Sequence, residues 1–452
     1  MSASPVPDRT QPPPSGPPRS FRFPAFERYY LANGLEVLLG TRAGVPLAEA
    51  TLLLPAGGDR GPLEQPGLAA LAASLLDEGT ESRGGPEIAA TVERLGGSLG
   101  SSADWTVARI SVQTLADDLP TGLELVAEIA RQPAFADHEV ERLRQQTTTE
   151  LLRRRDQPAA LAEEALVRTL YRDTVYGEIL LGTEASVARL TRDQLAGFYR
   201  RHATPVGAAL VIAGDIDAGA ARTEVERRFG DWRGSEPPPP PEIVPAAATA
   251  RRVVLVDRPG ASQTEMRIGQ VGVPRNHPDR SRLSLLNCLL GGKFTSRINL
   301  NLREKHGFTY GASTRFVDRR GPGPFVLGAA VATESVGAAV GESLTELERL
   351  LAEPIPSAEL DDARTYLTGV FPYTLQTVEG LAGRLEEIAT FGLPSDYYER
   401  TFADYARFDS AEIGAAARRH LRPAAAVIVA VGPADHLAPQ LERFGAIERL
   451  EP

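Results

Sequence analysis

Residues 289–316, LLGGKFTSRINLNLREKHGFTYGASTRF, hold a glycine pair, an amphipathic segment, a helix stop and an alternating segment in direct succession. Ile298 and Leu302 are four residues apart, so they share one face of a helix. Gly307 supplies the left-handed residue that commonly ends a helix. Residues 308–316 then alternate between two sets of side chains, which predicts a strand covered on one face. The segment therefore predicts a helix that stops at Gly307, followed by a strand.

Two side chains in this block are suited to binding a peptide backbone. Arg303 and Tyr310 flank the predicted turn, so we expect them to approach each other. A guanidinium offers five donors in a fixed fork and a phenol offers one more, and both can bind a carbonyl or a developing oxyanion. From pattern alone, Arg303 could equally complement the helix dipole and Tyr310 could be an inward-facing strand aromatic.

The block closely resembles the carboxy-terminal half of the M16 metallopeptidases, the inverted-zincin family that includes the processing peptidases. The matching residues are Gly291, Gly292, Phe294, Ser296, Arg297, Asn301, Leu302, Arg303, Glu304, Lys305, His306, Gly307, Thr309 and Tyr310. The resemblance implies that Arg303 and Tyr310 hold the substrate backbone. It also implies that the loop of Gly291 and Gly292 borders the substrate cavity, where missing side chains allow a peptide to approach closely.

The same resemblance predicts that this chain has no zinc site. Catalytic members carry H-x-x-E-H on a helix near the amino terminus, with two histidine ligands and a glutamate base. Here the equivalent stretch is residues 67–80, GLAALAASLLDEGT, which puts the ligand positions at Ala70 and Ser74 and the base at Ala73. The third family ligand is a glutamate that corresponds to Glu150. One carboxylate cannot form a metal site, so we expect no metal in this chain.

We therefore interpret the chain as the zinc-less, substrate-binding subunit of a heterodimeric peptidase. The resemblance implies a partner, a zinc-bearing homologue with H-x-x-E-H, and an extended or unfolded peptide as the substrate. Zinc is expected in the partner subunit, and no cofactor is expected in this chain. One alternative is a structural homologue that has kept the fold but has no proteolytic role. Another is a self-sufficient hydrolase, which would need a nucleophile, a base and an orienting residue that the sequence does not offer.

Composition excludes some partners and compartments. The net charge of −10 and the pI of about 5.4 argue against binding to a nucleic-acid backbone. The amino terminus has no apolar run of signal-peptide length, so we expect a cytoplasmic protein that does not bind membranes. Cys288 is the only cysteine, and its apolar neighbours predict a buried thiol rather than a nucleophile.

An internal repeat predicts two similar domains. Residues 200–217 match residues 418–435 at a constant offset of 218, and each copy reads as a helix end, a proline and an apolar strand. His202 and His420 occupy equivalent places, which predicts one shared structural role such as a bond to a helix-end carbonyl. The predicted segments are a disordered Pro-rich tail over 1–23, an M16-like domain with the degenerate zinc motif over 24–232, a Pro-rich linker over 233–250, and an M16-like domain with the Arg/Tyr motif over 251–450.

The order of predicted elements is that of an α+β protein. The resemblance implies two duplicated M16-type domains, each a mostly antiparallel sheet with helices packed on one side. Predicted strands in the first domain cover LEVLLGT, AEATLLLPA, SLGSSAD and VARISVQTL, and the helix with the degenerate motif covers residues 66–78.

Overall fold

A computed structural model describes residues 21–450, so most of the predicted Pro-rich tail lies outside the described residues. The strands are β1 Phe26–Tyr30, β2 Glu36–Thr41, β3 Leu47–Leu54, β4 Ser98–Ala103, β5 Ala108–Leu115, β6 Ala209–Gly214, β7 Arg252–Asp257, β8 Gln263–Val271, β9 Ala312–Phe316, β10 Pro324–Ala332, β11 Val427–Gly432 and β12 Ala446–Leu450. The helices are α1 Leu68–Ser74, α2 Gly85–Arg94, α3 Leu119–Arg131, α4 Asp137–Arg155, α5 Pro158–Leu170, α6 Glu184–Arg189, α7 Arg192–His202, α8 Ala218–Phe229, α9 Arg280–Asn287, α10 Arg297–Asn299, α11 Val336–Ala352, α12 Ser357–Val370, α13 Val378–Thr390, α14 Tyr397–Arg407, α15 Ser410–His420 and α16 Ala434–Leu441. Helices α9 and α10 continue as the π-helical segments Cys288–Gly292 and Leu300–Lys305.

The strands form two sheets of six, one in each half of the chain. The first half (residues 21–232) has the order β1-β2-β6-β3-β5-β4, and the second half (residues 251–450) has the order β12-β7-β11-β8-β10-β9. Four of the five pairings in the first sheet are antiparallel, and only β2 and β6 run parallel. In the second sheet β7 runs parallel to β11 and to β12, and the other three pairings are antiparallel.

The central strands are apolar on both faces. In β6, Leu210 and Ile212 belong to the main core of the first half, while Val211 and Ala213 belong to a second core on the opposite face. Successive strand residues point to opposite faces, so a strand buried throughout needs a cover on each side of the sheet.

The second cover of each sheet is a helix from the other half of the chain. Helix α13 of the second half packs on β2, β3 and β6, where Leu381 and Leu385 contact the face that carries Leu38 and Val211. In exchange, helix α5 of the first half packs on β7, β8 and β11, where Leu166 lies among the valines of those strands. The two halves are therefore joined by two apolar cores as well as by the connecting segment.

The predicted fold class is confirmed, because the chain has two similar α+β units built on mostly antiparallel sheets. The expectation of helices on one side of each sheet is wrong, because α5 and α13 are exchanged between the halves and cover the second faces. The sequence patterns did not predict this exchange. Residues 231–251 contain no helix or strand, and the domain boundaries proposed from sequence stay a prediction. No helix within residues 21–450 has the length and hydropathy that crossing a membrane requires.

Candidate functional site

The predicted helix stop in the motif block is confirmed. The π-helical segment ends at Lys305, and Gly307 follows with a φ of 66°, in the left-handed region that favours glycine. The amide of Phe308 then donates to the carbonyl of Leu302 at 2.8 Å, and the amide of Gly307 donates to Arg303 at 3.1 Å. These bonds satisfy helix-end carbonyls and turn the chain back toward the sheet.

The strand that follows begins later than the alternation predicts. It covers only Ala312–Phe316, in which Ala312, Thr314 and Phe316 are buried. A local turn delays it, because the amide of Gly311 donates to Thr309 Oγ1 at 3.1 Å and that hydroxyl donates back to the Gly311 carbonyl at 2.9 Å. Tyr310 lies in this turn, so its side chain stands outside the sheet.

Both predicted binding side chains are accessible. Tyr310 is 91% exposed, which makes it the most exposed large apolar or aromatic side chain among residues 21–450. The Arg303 guanidinium lies 4.4 Å from the ring centroid of Phe294 and 3.0 Å from Glu304 Oε1. No hydrogen bond joins Arg303 to Tyr310 in the described part of the chain, so each can donate to an external ligand. Phe294, itself 64% exposed, was not predicted to belong to the site.

Ion pairs hold this block against helix α12. Arg297 binds Glu359 through two bonds of 2.6 Å, and this carboxylate raises the pKa of Arg297. The buried Lys293 pairs with Asp362 one turn further along α12. The bidentate geometry of the Arg297–Glu359 pair fixes orientation as well as position. The partly exposed residues 303–310 therefore extend from a well-anchored base.

The structure gives the glycine pair a packing role. Gly291 is buried, and a Cβ added there would lie 2.5 Å from Thr314 Oγ1 and 2.6 Å from the Thr314 amide on β9. A Cβ on Gly292 would lie 2.7 Å from Asn287 Nδ2. Gly292 is exposed, so it can border a cavity, whereas Gly291 is required because β9 passes directly over it.

The positions of the degenerate zinc motif do not form a metal site. Ala70 and Ala73 are buried on α1, with exposures of 8% and 2%. The hydroxyl of Ser74 donates to the Ala70 carbonyl at 3.0 Å. Glu150 on α4 forms two bonds to Arg153, at 2.8 and 2.9 Å, and these bonds lower the pKa of Glu150. Zn²⁺ takes three or four nitrogen, sulfur or carboxylate donors. These positions instead offer two methyl groups, a hydroxyl that is bonded within its own helix, and a carboxylate that is already paired.

Another cluster of metal-type side chains lies in the second half. His277, Asp279 and His420 have donor atoms within 4.8 Å of one another, the only such group of three in residues 21–450. His420 Nε2 lies 2.7 Å from Asp279 Oδ2, and Arg419 and Arg282 also bind this carboxylate. Two guanidiniums already balance its charge, so the cluster is best described as an ion-pair network between α9 and α15.

This network corrects the prediction of one role for the two equivalent histidines. His202 Nδ1 lies 3.0 Å from the Phe198 carbonyl, as expected at a helix end. His420 instead pairs with Asp279, which is 141 residues away in the sequence.

Comparison with known proteins identifies the family. Residues 37–184 match the family model described as Insulinase (Peptidase family M16), and residues 189–367 match the one described as Peptidase M16 inactive domain. The chain belongs to peptidase family M16. Among its relatives is a protein of Mycobacterium tuberculosis H37Rv described as an uncharacterized zinc protease, 27% identical over 69% of this chain and 71% of the relative. A Rickettsia felis protein with the same description is 24% identical over 80% of this chain and 87% of its own length.

Solved structures of similar proteins have the same fold. The peptidase M16 inactive domain from Pseudomonas fluorescens is 25% identical and superimposes with a TM-score of 0.84, covering 90% of this chain and 98% of its own. A Helicobacter pylori protease, 20% identical, also gives a TM-score of 0.84, with 91% of this chain and 100% of its own covered. The resemblance to family M16, first seen in the motif block, is thus confirmed and extends over both halves of the chain.

Proposed function

We propose that this chain is the zinc-less, substrate-binding subunit of a two-chain M16 peptidase. A single contrast supports this proposal. The helix in the place of the H-x-x-E-H motif has no side chain that can bind zinc, while in the second motif Tyr310 is exposed and Arg303 is partly exposed on an anchored base. A chain that neither cuts nor binds peptides would have no use for this exposed pair.

In this proposal the chain binds the peptide main chain. The guanidinium of Arg303 can form paired bonds to carbonyl oxygens, and stacking on Phe294 restricts the positions that it samples. The hydroxyl of Tyr310 supplies a further donor seven residues away in the sequence. Because both donors recognise carbonyls, recognition would tolerate many peptide sequences.

The partner would be an M16 homologue that carries H-x-x-E-H, and the zinc would belong to that partner. The metal would supply the Lewis-acid chemistry of peptide hydrolysis. This chain would orient the substrate carbonyl and stabilise the negative charge that develops on its oxygen.

The proposal is tested by Arg303→Ala in the assembled complex. Loss of one charge-stabilising donor typically removes about 2.7 to 4 kcal/mol of transition-state stabilisation, on the order of 10² to 10³ in rate. We expect kcat/KM for peptide hydrolysis to fall by that factor, with subunit assembly unchanged in sedimentation. Arg400→Ala is the matched control, because Arg400 is an exposed arginine that pairs with an acidic neighbour, Asp396, on α14. Activity of the Arg303→Ala complex within twofold of wild type would favour the scaffold alternative.

A further inference from the structure

A cavity of about 420 Å³ lies where the two halves meet. One wall is apolar and is formed by Leu53, Val107 and Phe391, with Phe391 at the end of the exchanged helix α13. Arg60 of the first half and Arg320 of the second half also line it. Its volume falls within the range of about 300 to 1,000 Å³ that is typical of small-molecule sites, and its lining is about equally polar and apolar.

The positive charges around this cavity exceed the negative ones. Arg320 Nε lies 3.4 Å from Asp59 Oδ2, which is the nearest approach of Asp59 to a cation. The preceding residue, Arg319, is 6% exposed and rests on the rings of Trp105 and Tyr176 at 4.9 and 4.4 Å. Arg60 and Arg320 thus share the carboxylate of Asp59, whereas Arg319 also lies in the field of Glu163.

The remaining charged groups nearby do not compensate this surplus. Glu36 lines the cavity but pairs with Arg28 at 2.5 Å. Asp104 pairs with Arg109 at 2.7 Å. With these two pairs balanced, Arg60 and Arg320 exceed the single carboxylate of Asp59 by one positive charge.

Several of these groups also lack hydrogen-bond partners. Arg60 Nε, Arg319 Nε and Nη1, and Asp59 Oδ1 are buried without one in the described part of the chain. Burial lowers the pKa of Arg60, and the neighbouring Arg320 lowers it further. Buried polar atoms are nearly always paired. Arg60 lines the cavity, so an acceptor bound there would give its Nε a partner.

We propose that this cavity binds a small carboxylate with an apolar body. The carboxylate would lie between Arg60 and Arg320, where paired bonds to guanidiniums are favourable, and the body would contact the apolar wall. An N-acylated apolar amino acid and the carboxyl terminus of a peptide share this chemistry. The site is separate from Arg303 and Tyr310 and does not depend on their role.

Calorimetric titration of the full chain with N-acetyl-leucine tests the proposal, with N-acetyl-leucinamide as the uncharged control ligand. We expect saturable binding of one N-acetyl-leucine and at least tenfold weaker binding of the amide. A pentapeptide that ends in leucine separates the two sources. Binding equal to that of N-acetyl-leucine would assign the site to peptide termini, and absence of pentapeptide binding would assign it to single amino-acid derivatives.

Variants locate the binding. Arg60→Gln and Arg320→Gln should each weaken N-acetyl-leucine at least tenfold, whereas Arg303→Ala should leave it unchanged. Arg131→Gln is the matched control, because its side chain is 29% exposed and ion-paired, compared with 31% for Arg320. Circular dichroism checks that each variant folds, and the wild-type comparison of acid with amide stands without any variant. Equal affinities for acid and amide, no binding of either, or tighter binding of inorganic phosphate would each overturn the proposal.

Discussion

The two halves of the chain have the same architecture but place their polar side chains differently. In the first half, the positions where the M16 family carries zinc ligands are small, buried or internally bonded. In the second half, the motif block presents an arginine and a tyrosine to solvent from a base fixed by ion pairs. The comparison teaches that two copies of one fold can differ in which polar side chains they present at their surfaces.

The two sheets also differ in the charged groups around one equivalent strand position. Glu49 pairs across the ladder with Ala213, and Glu265 pairs with Val431, which is Ala213 shifted by the repeat offset of 218. Glu265 has Arg267 at 2.7 Å, whereas Glu49 faces Glu379 and Glu386 of the exchanged helix α13. Burial and these two carboxylates raise the pKa of Glu49 to about 7.

The largest expected effect comes from restoring the missing base. Ala73→Glu places a carboxylate at a position that is only 2% exposed. An unpaired buried charge typically costs about 3 to 5 kcal/mol, so the free energy of unfolding in urea should fall by that amount. Ala89→Glu, at an exposed position of α2, is the control and should stay within about 0.5 kcal/mol of wild type. A fully stable Ala73→Glu would mean that α1 still has room for a catalytic side chain.

Gly291→Ala tests whether this glycine is needed for packing against β9 or for the approach of a substrate. The new Cβ would lie 2.5 Å from Thr314 Oγ1, so β9 or the π-helical turn must move. Overpacking of this kind costs about 1 to 3 kcal/mol, measured as a lower midpoint of thermal unfolding. Gly311→Ala is the matched control, because a Cβ there meets nothing within 4 Å. Unchanged stability of Gly291→Ala would contradict the packing role.

The contrast between Glu49 and Glu265 predicts a pH dependence. The pKa of Glu49 in the folded state, about 7, lies above the ordinary value of 4.5, so the folded chain binds the extra proton between these values. The free energy of unfolding should therefore fall as the pH rises from 4.5 to 7. The proton bound by Glu49 should account for a fall in the free energy of unfolding on the order of 2 kcal/mol, after allowing for partial solvent exposure.

Glu49→Gln removes that contribution, so its pH profile between 4.5 and 7 should be flatter than that of wild type. Glu265→Gln keeps Glu49 and should retain the wild-type slope. Identical slopes for all three proteins in urea titrations would refute the assignment of the slope to Glu49.

The smallest expected effect on stability is at Tyr310. This side chain is 91% exposed, so Tyr310→Phe should change the free energy of unfolding by less than about 0.5 kcal/mol. In the assembled peptidase the same variant should lower kcat/KM, because it removes one donor to the substrate. Tyr373→Phe, also on the surface at 68% exposure, should change neither quantity. Loss of stability in Tyr310→Phe would point to a structural role for its hydroxyl.

Local features of the fold were predictable because local residues determine them. The helix stop at Gly307 and the apolar strands of the repeat follow from short patterns, whereas the degenerate character of α1 came from the M16 resemblance. The predicted strand after Gly307 begins four residues too early. The Thr309 turn competes with the sheet, but residues 308–311 still follow the alternating pattern of side chains from which the strand was predicted.

Long-range features were not predictable from such patterns. The apolar face of an amphipathic helix indicates that the helix packs against something, but not which sheet it packs against. The exchange of α5 and α13 was therefore missed. The pairing of His420 with Asp279 and the shared environment of Arg60 and Arg320 likewise depend on distant segments meeting. At the motif block, Arg303 and Tyr310 came from the resemblance, whereas the support from Phe294 required the structure.

The central claim is that this chain binds the peptide while another chain holds the metal. The most direct measurement is the zinc content and peptidase activity of the purified chain, alone and mixed with an M16 homologue that carries H-x-x-E-H. After equilibration with zinc and removal of the excess, the chain alone should retain far less than one zinc per molecule and show no turnover, and the mixture should hydrolyse peptide. One zinc per chain together with turnover by the isolated chain would contradict the account.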